Sequence, residues 1–295
     1  MSFWLDPERR LRLRFRLPIF LGGVMAIELG LGILFGIALA ALATSTGKRV
    51  SELSAALETW ALWSLVVPQT LLGALLVVAC RRWLDRRSVA SLGFRRPGAS
   101  TPLGLLLGLV VSAGPAALLL AGGGYRFTGL SASLETALLV PMLAVAAFHE
   151  ELLCRGYLLQ NFVDAGRPWL GVVLSSLIFW LLHALNPAIW SSPIPSLNLV
   201  LAGIVLALAK RASGDLWAPT ALHYAWNLGQ GVLFQLPISG VRTDGVLDVE
   251  ATGRLPLWLT GGAFGLESSL LTSGFAAAIA GALGYRVFRR SVSPS

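Results

Sequence analysis

The chain has 295 residues, of which 55% are hydrophobic and only 13% are charged, and its formal net charge is +8. A mean hydropathy of +0.72 excludes an ordinary soluble globular protein. The basic residues occur in short clusters between apolar stretches, which is typical of membrane orientation signals rather than of nucleic-acid binding. The sequence therefore predicts an all-α, polytopic membrane protein with the lipid bilayer, and no nucleic acid, as a partner.

Eight apolar stretches predict about eight transmembrane helices. They are Leu17–Ala43, Trp60–Cys80, Leu103–Gly122, Leu134–Val163, Trp169–Ala188, Leu197–Leu208, Leu216–Leu236 and Ser268–Tyr285. If the N-terminus is cytoplasmic, most Lys and Arg residues fall on the cytoplasmic side, which predicts that both termini are cytoplasmic. The Ala, Leu, Arg and Gly bias is typical of a GC-rich bacterium, so we expect an integral protein of the bacterial plasma membrane.

The predicted spans divide the chain into three parts. Residues 1–133 hold three spans and a basic cytoplasmic loop, residues 134–236 hold spans four to seven, and residues 237–295 hold an outer loop, the eighth span and a basic cytoplasmic tail. In the first span we expect Glu28 to form a hydrogen bond between helices or a contact with water, rather than to take part in chemistry. The glycine pairs Gly32/Gly36 and Gly104/Gly108 predict close approach of neighbouring helices.

The fourth span contains the sequence HEELLCRGY, residues 149–157. A charged residue near the centre of a membrane helix costs roughly 2.5 to 3.5 kcal/mol, so two carboxylates and an arginine there indicate pairing or function. Glu151 and Arg155 are four residues apart, a spacing that predicts a buried ion pair within the helix. Glu150 lies about 100 degrees around the helix from Glu151 and can therefore face a different partner.

Two further polar patches follow on later spans. Phe179 and His183 lie one turn apart on the fifth span, and His223 and Asn227 lie one turn apart on the seventh. At about 1.5 Å per residue, Glu150 and His183 both lie roughly 20 Å from the turn that joins the fourth and fifth spans. Asn227 reaches a similar depth. We therefore expect three helices to bring a carboxylate, two imidazoles and a carboxamide together inside the membrane.

The ordered patches EE-x3-R, F-x3-H and H-x3-N resemble the signature of the CAAX protease and bacteriocin-processing (CPBP) family of intramembrane endopeptidases, which are type II CAAX prenyl endopeptidase-like. The similarity extends from about Glu135 to Leu236. It implies hydrolysis of a peptide bond in a peptide or protein substrate that can itself be membrane-associated. The positions that match the family's catalytic motifs are Glu150, His183, His223 and Asn227, and the structural positions beside them are Glu151, Arg155 and Phe179.

These residue types suit peptide hydrolysis without a cofactor. Glu150 with His183 can activate a water molecule as a general base, while His223 and Asn227 can donate hydrogen bonds to the oxyanion of the tetrahedral intermediate. Two alternatives stay open. One is a zinc-dependent membrane protease with Glu150, His183 and His223 as metal ligands, although Leu153 stands where the second histidine of H-E-x-x-H would fall. The other is a non-catalytic membrane scaffold or immunity protein with a buried hydrogen-bond network.

Overall fold

A computed structural model describes residues 3–8, 10–56, 58–184 and 186–292. The chain divides into two compact units, Met1–Ser91 and Leu92–Ser295. In the first unit the helices are α1 (Leu13–Thr46), α2 (Val50–Ala56) and α3 (Glu58–Ala79), and a π-helical turn, Cys80–Leu84, continues α3. Each unit therefore contains its own set of helices.

Helices α1 and α3 pack against each other. Gln69 Nε2 donates a hydrogen bond to Glu28 Oε2 at 2.6 Å, which confirms the hydrogen bond between helices that was predicted for Glu28. The close approach occurs at Gly23, where a Cβ would lie 2.9 Å from the Leu76 side chain. At Gly32 and Gly36 no described atom approaches within 4 Å, so the contact predicted for this pair is not formed there.

A buried ion cluster joins the ends of α1 and α3. Asp85 Oδ1 accepts from Arg16 Nη1 at 3.0 Å, and Asp85 Oδ2 accepts from Arg81 Nη1 at 3.0 Å. The side chains are 0 to 4% exposed. Arg81 also donates to Ser91 Oγ. The basic loop predicted after the second span includes Arg81 and Asp85, and in the structure both of these side chains are buried and paired. We call Arg16, Arg81 and Asp85 the Asp85 cluster.

The second unit is built mainly from long helices. Its α-helices are α4 (Ser100–Ala121), α5 (Leu134–Glu151), α6 (Gln160–Asp164), α7 (Pro168–His183), α8 (Pro193–Ser213), α9 (Trp217–Asn227), α10 (Leu257–Thr260) and α11 (Leu270–Val292). π-Helical segments Leu152–Leu159 and Leu228–Leu233 follow α5 and α9 directly. Strands β1 (Tyr125–Leu130) and β2 (Leu247–Ala251) pair antiparallel, with a register shift between Phe127 and Gly129. These two strands, which are far apart in the sequence, form the only sheet among the described residues.

Six helices among the described residues are long and apolar enough to cross a membrane. They are Leu13–Thr46, Trp60–Leu84, Ser100–Ala121, Leu134–Asp164, Pro193–Ser213 and Leu270–Val292. The predicted fifth span is the shorter apolar helix Pro168–His183, and the predicted seventh is divided between α9 and its π-helical continuation. The all-α polytopic membrane fold is confirmed, and the predicted count of about eight corresponds to these six helices and two shorter ones.

The sixth predicted span is longer than expected. Instead of Leu197–Leu208, the helix runs over Pro193–Ser213, with Ser192 as its N-cap and Gly214 in the left-handed conformation at its end. The prediction stopped before Lys210 because basic residues usually mark the end of a span. In the structure Lys210 is buried and its ammonium group donates to the Leu92 carbonyl oxygen at 2.5 Å.

Helix α4 lies directly against α9, at the glycine pair predicted for close approach. A Cβ at Gly104 would overlap the Ala218 carbonyl oxygen, and a Cβ at Gly108 would overlap the Leu222 carbonyl oxygen. Helix α8 packs against α7, α9 and α11, and α5 packs against α9. The helices that carry the three polar patches are therefore neighbours within one unit.

Candidate active site

Helix α5 carries two adjacent carboxylates at the point where its hydrogen-bond pattern changes. The helix begins with a capping box, in which Ser133 Oγ accepts from Thr136 N and Thr136 Oγ1 accepts from Ser133 N. It ends at Glu151, and the chain continues as the π-helix Leu152–Leu159. The sequence predicted an uninterrupted helix here. π-Helical turns often occur at functional sites, since their extra residue redirects the side chains.

Glu151 and Arg155 form the ion pair expected from their spacing. Arg155 Nη1 lies 2.8 Å from Glu151 Oε1, and both side chains are 0% exposed. Arg155 Nη2 donates to the Gly203 carbonyl oxygen on α8 at 3.1 Å. Its guanidinium carbon lies 4.5 Å from the centre of the Phe179 ring on α7. Arg155 thus contacts three of the helices that surround the site.

The hydrogen bonds of the two imidazoles determine which ring nitrogen faces the site. His183 Nδ1 lies 2.8 Å from the Phe179 carbonyl oxygen, and His223 Nδ1 lies 3.1 Å from Glu151 Oε1. Both partners are acceptors, so each Nδ1 carries the hydrogen and donates it. Each ring therefore presents Nε2 to a substrate or a water molecule.

Glu150 has a different environment from its neighbour Glu151. Its Oε2 lies 3.9 Å from His183 Nε2, and the side chains of Glu150 and His183 are 30% and 20% exposed. This distance is too long for a direct hydrogen bond. Oε2 is buried and accepts no hydrogen bond from the described residues. The Glu150 side chain is thus partly exposed, while its buried Oε2 lies next to an imidazole nitrogen that can share a ligand with it.

Phe179 packs against both imidazoles. Its ring centroid lies 4.8 Å from that of His183 and 5.8 Å from that of His223, the latter in an edge-to-face arrangement. Asn227 follows His223 by one turn on α9 and is half-buried. The structure brings together Glu150, Glu151, Arg155, Phe179, His183 and His223 by direct contacts. It gives Asn227 a place one turn further along α9, without a side-chain hydrogen bond to any described residue.

Sequence reasoning missed a third carboxylate near these residues. Glu267, directly before α11, is only 8% exposed, and its Oε2 accepts two hydrogen bonds from Ser239. The outer loop predicted before the eighth span also contains three other acidic residues, the exposed Asp244 and Glu250 and the half-buried Asp248. The signal available was a lone acidic residue at the start of an apolar span, which carries no information about its distant partner.

The three residues considered as zinc ligands, Glu150, His183 and His223, are not arranged as a metal site in the structure. Zinc needs three protein ligands at about 2.0 to 2.3 Å. No group of three His, Cys, Asp or Glu side chains in the described part of the chain is arranged to hold a metal ion. The two histidines do have the Nδ1 hydrogen bonds that usually orient metal-binding imidazoles. Hydrolysis without a cofactor stays the prediction, with zinc as its alternative.

Part of the chain matches a known protein family. The matching family is described as type II CAAX prenyl endopeptidase Rce1-like, and it aligns with residues 132–229. Residues 132–229 form an Rce1-like domain. This Rce1-like domain contains α5 to α9 and all seven site residues predicted from the sequence. No curated protein and no solved structure matches the chain. The Rce1-like domain and the six long apolar helices indicate an integral membrane protease that acts on a peptide substrate.

Proposed function

We propose that the chain is an intramembrane endopeptidase of the CPBP type. Glu150 and His183 activate the attacking water, and His223 and Asn227 stabilise the oxyanion. The observation that carries this proposal is the contrast between two adjacent carboxylates. Glu151 is fully buried and bound by Arg155 and His223, whereas the partly accessible Glu150 faces His183 Nε2 at 3.9 Å.

In the first step, one water molecule occupies the position that Glu150 Oε2 and His183 Nε2 can both reach. Because His183 Nδ1 donates to the Phe179 carbonyl oxygen, Nε2 is an acceptor. The water donates one hydrogen to each acceptor and directs a lone pair at the scissile carbonyl carbon. Glu150 takes the proton as the bond forms and later gives it to the leaving amine, a role that contributes about 10²- to 10⁴-fold in rate.

In the second step, the carbonyl oxygen of the substrate becomes an oxyanion. His223 in its doubly protonated form donates from Nε2, while Nδ1 remains bonded to Glu151, whose negative charge stabilises the imidazolium. Asn227 supplies the second donor from the next turn of α9. Each such donor is worth about 3 to 4 kcal/mol of transition-state stabilisation. Arg155 holds Glu151 in place through their 2.8 Å contact.

A zinc-dependent mechanism is the second candidate for the same site. The observation that favours it is that both imidazoles present Nε2 while Nδ1 is bonded to an acceptor, as metal-binding histidines usually do. In that case Glu150, His183 and His223 would hold the ion, which would polarise the scissile carbonyl and lower the pKa of its bound water.

The test is cleavage of a quenched peptide library by purified protein in detergent. Wild type is compared with Glu150→Ala and with Glu135→Ala, an exposed glutamate in the first turn of the same helix, each with and without a strong zinc chelator. Glutamate-dependent hydrolysis predicts that Glu150→Ala loses at least about 10²-fold in kcat/KM, with Glu135→Ala and the chelator having no effect. Chelator-sensitive cleavage that zinc restores would favour the metal site. Equal cleavage by wild type and Glu150→Ala would contradict both mechanisms.

A further inference from the structure

The segment that follows the π-helix Leu228–Leu233 is bonded to the ends of both helices that carry imidazoles. On the α7 side, Asn186 N donates to the His183 carbonyl oxygen at 3.0 Å. The Asn186 side-chain amide donates in turn to the Ser239 carbonyl oxygen. Ser239 is thus connected through a single residue to the turn that contains His183.

On the α9 side, the contact is made by Gln230, three residues after Asn227. The fully buried side chain of Gln230 donates to the Pro237 carbonyl oxygen, and Leu236 N donates to the Gln230 carbonyl oxygen at 3.0 Å. Residues 237–239, which we call the 237–239 segment, therefore connect the end of α7 with the end of the α9 helix.

Glu267 holds the 237–239 segment in place. Its Oε2 accepts from both Ser239 N and Ser239 Oγ at 2.7 Å, and hydrogen bonds to a carboxylate are roughly twice as strong as neutral ones. The main chain of Glu267 is itself fixed, since Asn198 Nδ2 on α8 donates to the carbonyl oxygens of Glu267 and Ser269, both at 2.9 Å. The carboxylate thus links a rigid helix, α8, to the 237–239 segment.

The electrostatics of Glu267 agree with this position. Burial raises the pKa of its carboxyl group, while the hydrogen bonds from Ser239 and the imidazoles of His183 and His223 lower it. Glu267 therefore lies within electrostatic reach of both histidines. It stands outside residues 132–229, so the Rce1-like match assigns it no role.

We propose that Glu267 is a positioning residue for peptide hydrolysis: through Ser239 it fixes the helix ends that carry His183 and Asn227. This inference rests on the proposed function. Catalysis depends on near-attack geometry, and a displacement of 1 Å can lower the rate about 10²-fold. Without the Glu267 carboxylate, Ser239 loses two hydrogen bonds and the 237–239 segment is no longer held to α8. The ends of α7 and α9 then lose the support that this segment gives to both.

The test compares Glu267→Ala, Glu267→Gln and Glu250→Ala. Glu250 is a matched control because it lies in the same connection but its side chain is 57% exposed. We expect Glu267→Ala to lower kcat by at least about 30-fold with KM changed by less than about 2-fold, because positioning acts on the transition state. Glu267→Gln keeps an oxygen that can accept from both Ser239 donors, so kcat should return to within about 5-fold of wild type. Glu250→Ala should match wild type.

Hydrogen exchange of the purified protein gives a readout that does not depend on cleavage. Backbone amides at residues 186–190 and 228–239 should exchange faster in Glu267→Ala and return to the wild-type rate in Glu267→Gln. If Glu267→Ala does not fold, Ser239→Ala removes one of the two hydrogen bonds and should give the same pattern with a kcat loss of about 3-fold.

Unchanged turnover and unchanged exchange in Glu267→Ala would overturn the inference. Faster exchange spread over α8 and α11 would overturn it too, because Glu267 would then support the unit as a whole. Glu150→Ala is measured in the same assay. If Glu150→Ala cleaves like wild type, the proposed function fails, and exchange at the two helix ends alone decides the role of Glu267.

Discussion

Each of the two units contains a buried acid–arginine pair with a spacing of four residues, and the two pairs differ in what surrounds them. In the first unit both carboxylate oxygens of Asp85 are bound by guanidinium groups, one from Arg16 and one from Arg81. The Asp85 cluster consists of one carboxylate and two arginines, and none of its three members is a histidine. It is a closed structural contact.

In the second unit the pair of Glu151 and Arg155 is extended by His223 rather than by another arginine. Beside it stands Glu150, which has no hydrogen-bond partner for its buried Oε2 among the described residues. Burial and pairing of charges are common to both clusters, so they do not indicate chemistry by themselves. An accessible carboxylate and an imidazole beside the pair are what distinguish the candidate active site.

The largest effect is expected from Arg155→Ala. It leaves Glu151 buried without its cation and should lower the free energy of unfolding by about 3 to 5 kcal/mol. It should also reduce kcat, since His223 loses a correctly placed partner. Thermal unfolding in detergent measures the loss of stability, and turnover of the folded fraction measures the loss of kcat. Arg155→Lys keeps the charge but not the fork that reaches Glu151 and Gly203, and should be intermediate. Wild-type turnover in the folded fraction of Arg155→Ala would contradict a role at the site.

Asp85→Ala should cause a similar loss of stability without a loss of catalysis. Two buried guanidinium groups lose the carboxylate that lies between them, so we expect the free energy of unfolding to fall by about 3 to 5 kcal/mol. Turnover per folded molecule should stay within about 2-fold of wild type, because the Asp85 cluster holds helix ends and no reacting group. An active-site titration corrects for the unfolded fraction. A tenfold loss of kcat in the folded molecules would remove the distinction between the two clusters.

Asn227→Ala should have the opposite signature. It removes one of the two proposed oxyanion donors, so kcat should fall about 10²- to 10³-fold. The unfolding temperature should change little, because the side chain is half-buried and bonds to no described residue. Steady-state kinetics and thermal unfolding on the same preparation distinguish a loss of kcat from a loss of stability. Asn227→Asp keeps the size but places a negative charge beside the oxyanion, and should be slower still. Faster turnover in the aspartate variant than in the alanine variant would exclude Asn227 as a donor.

The smallest effect is expected from Glu28→Gln in the first unit. Glutamine retains an acceptor oxygen for Gln69 Nε2, so the free energy of unfolding should change by less than about 1 kcal/mol and turnover should be unaffected. Glu28→Leu, which removes the acceptor, serves as the comparison variant in chemical unfolding. A loss of turnover in Glu28→Gln would show that a carboxylate in the first unit takes part in the reaction.

Much of the site was predictable because it depends on periodicity and depth. Apolar runs located the long helices, and the rise of about 1.5 Å per residue placed Glu150 and His183 at the same level, where the structure has them 3.9 Å apart. The π-helices Leu152–Leu159 and Leu228–Leu233 were not predictable. They differ from α-helix by about one residue per turn, and six to eight residues are too few for that difference to appear in the apolar pattern.

Contacts between residues far apart in the chain were not predictable either. Glu151 accepts from His223, 72 residues away, and nothing in the local sequence of either residue specifies the other. Glu267 accepts hydrogen bonds from Asn198 and Ser239, which lie on separate elements. A single sequence gives the chemical type of such residues, while their partners are determined by how the helices pack.

The backbone contact between α4 and α9 determines how much positional error the site can tolerate. Contacts between side chains can relax through changes of rotamer, but Gly104 and Gly108 face carbonyl oxygens of α9 and have no rotamer to change. The position of α9, which carries His223 and Asn227, is therefore fixed by contact with the main chain of α4. The positions of His223 and Asn227 should be insensitive to rotamer changes of surrounding side chains, whereas one methyl group at Gly108 is expected to shift both residues together.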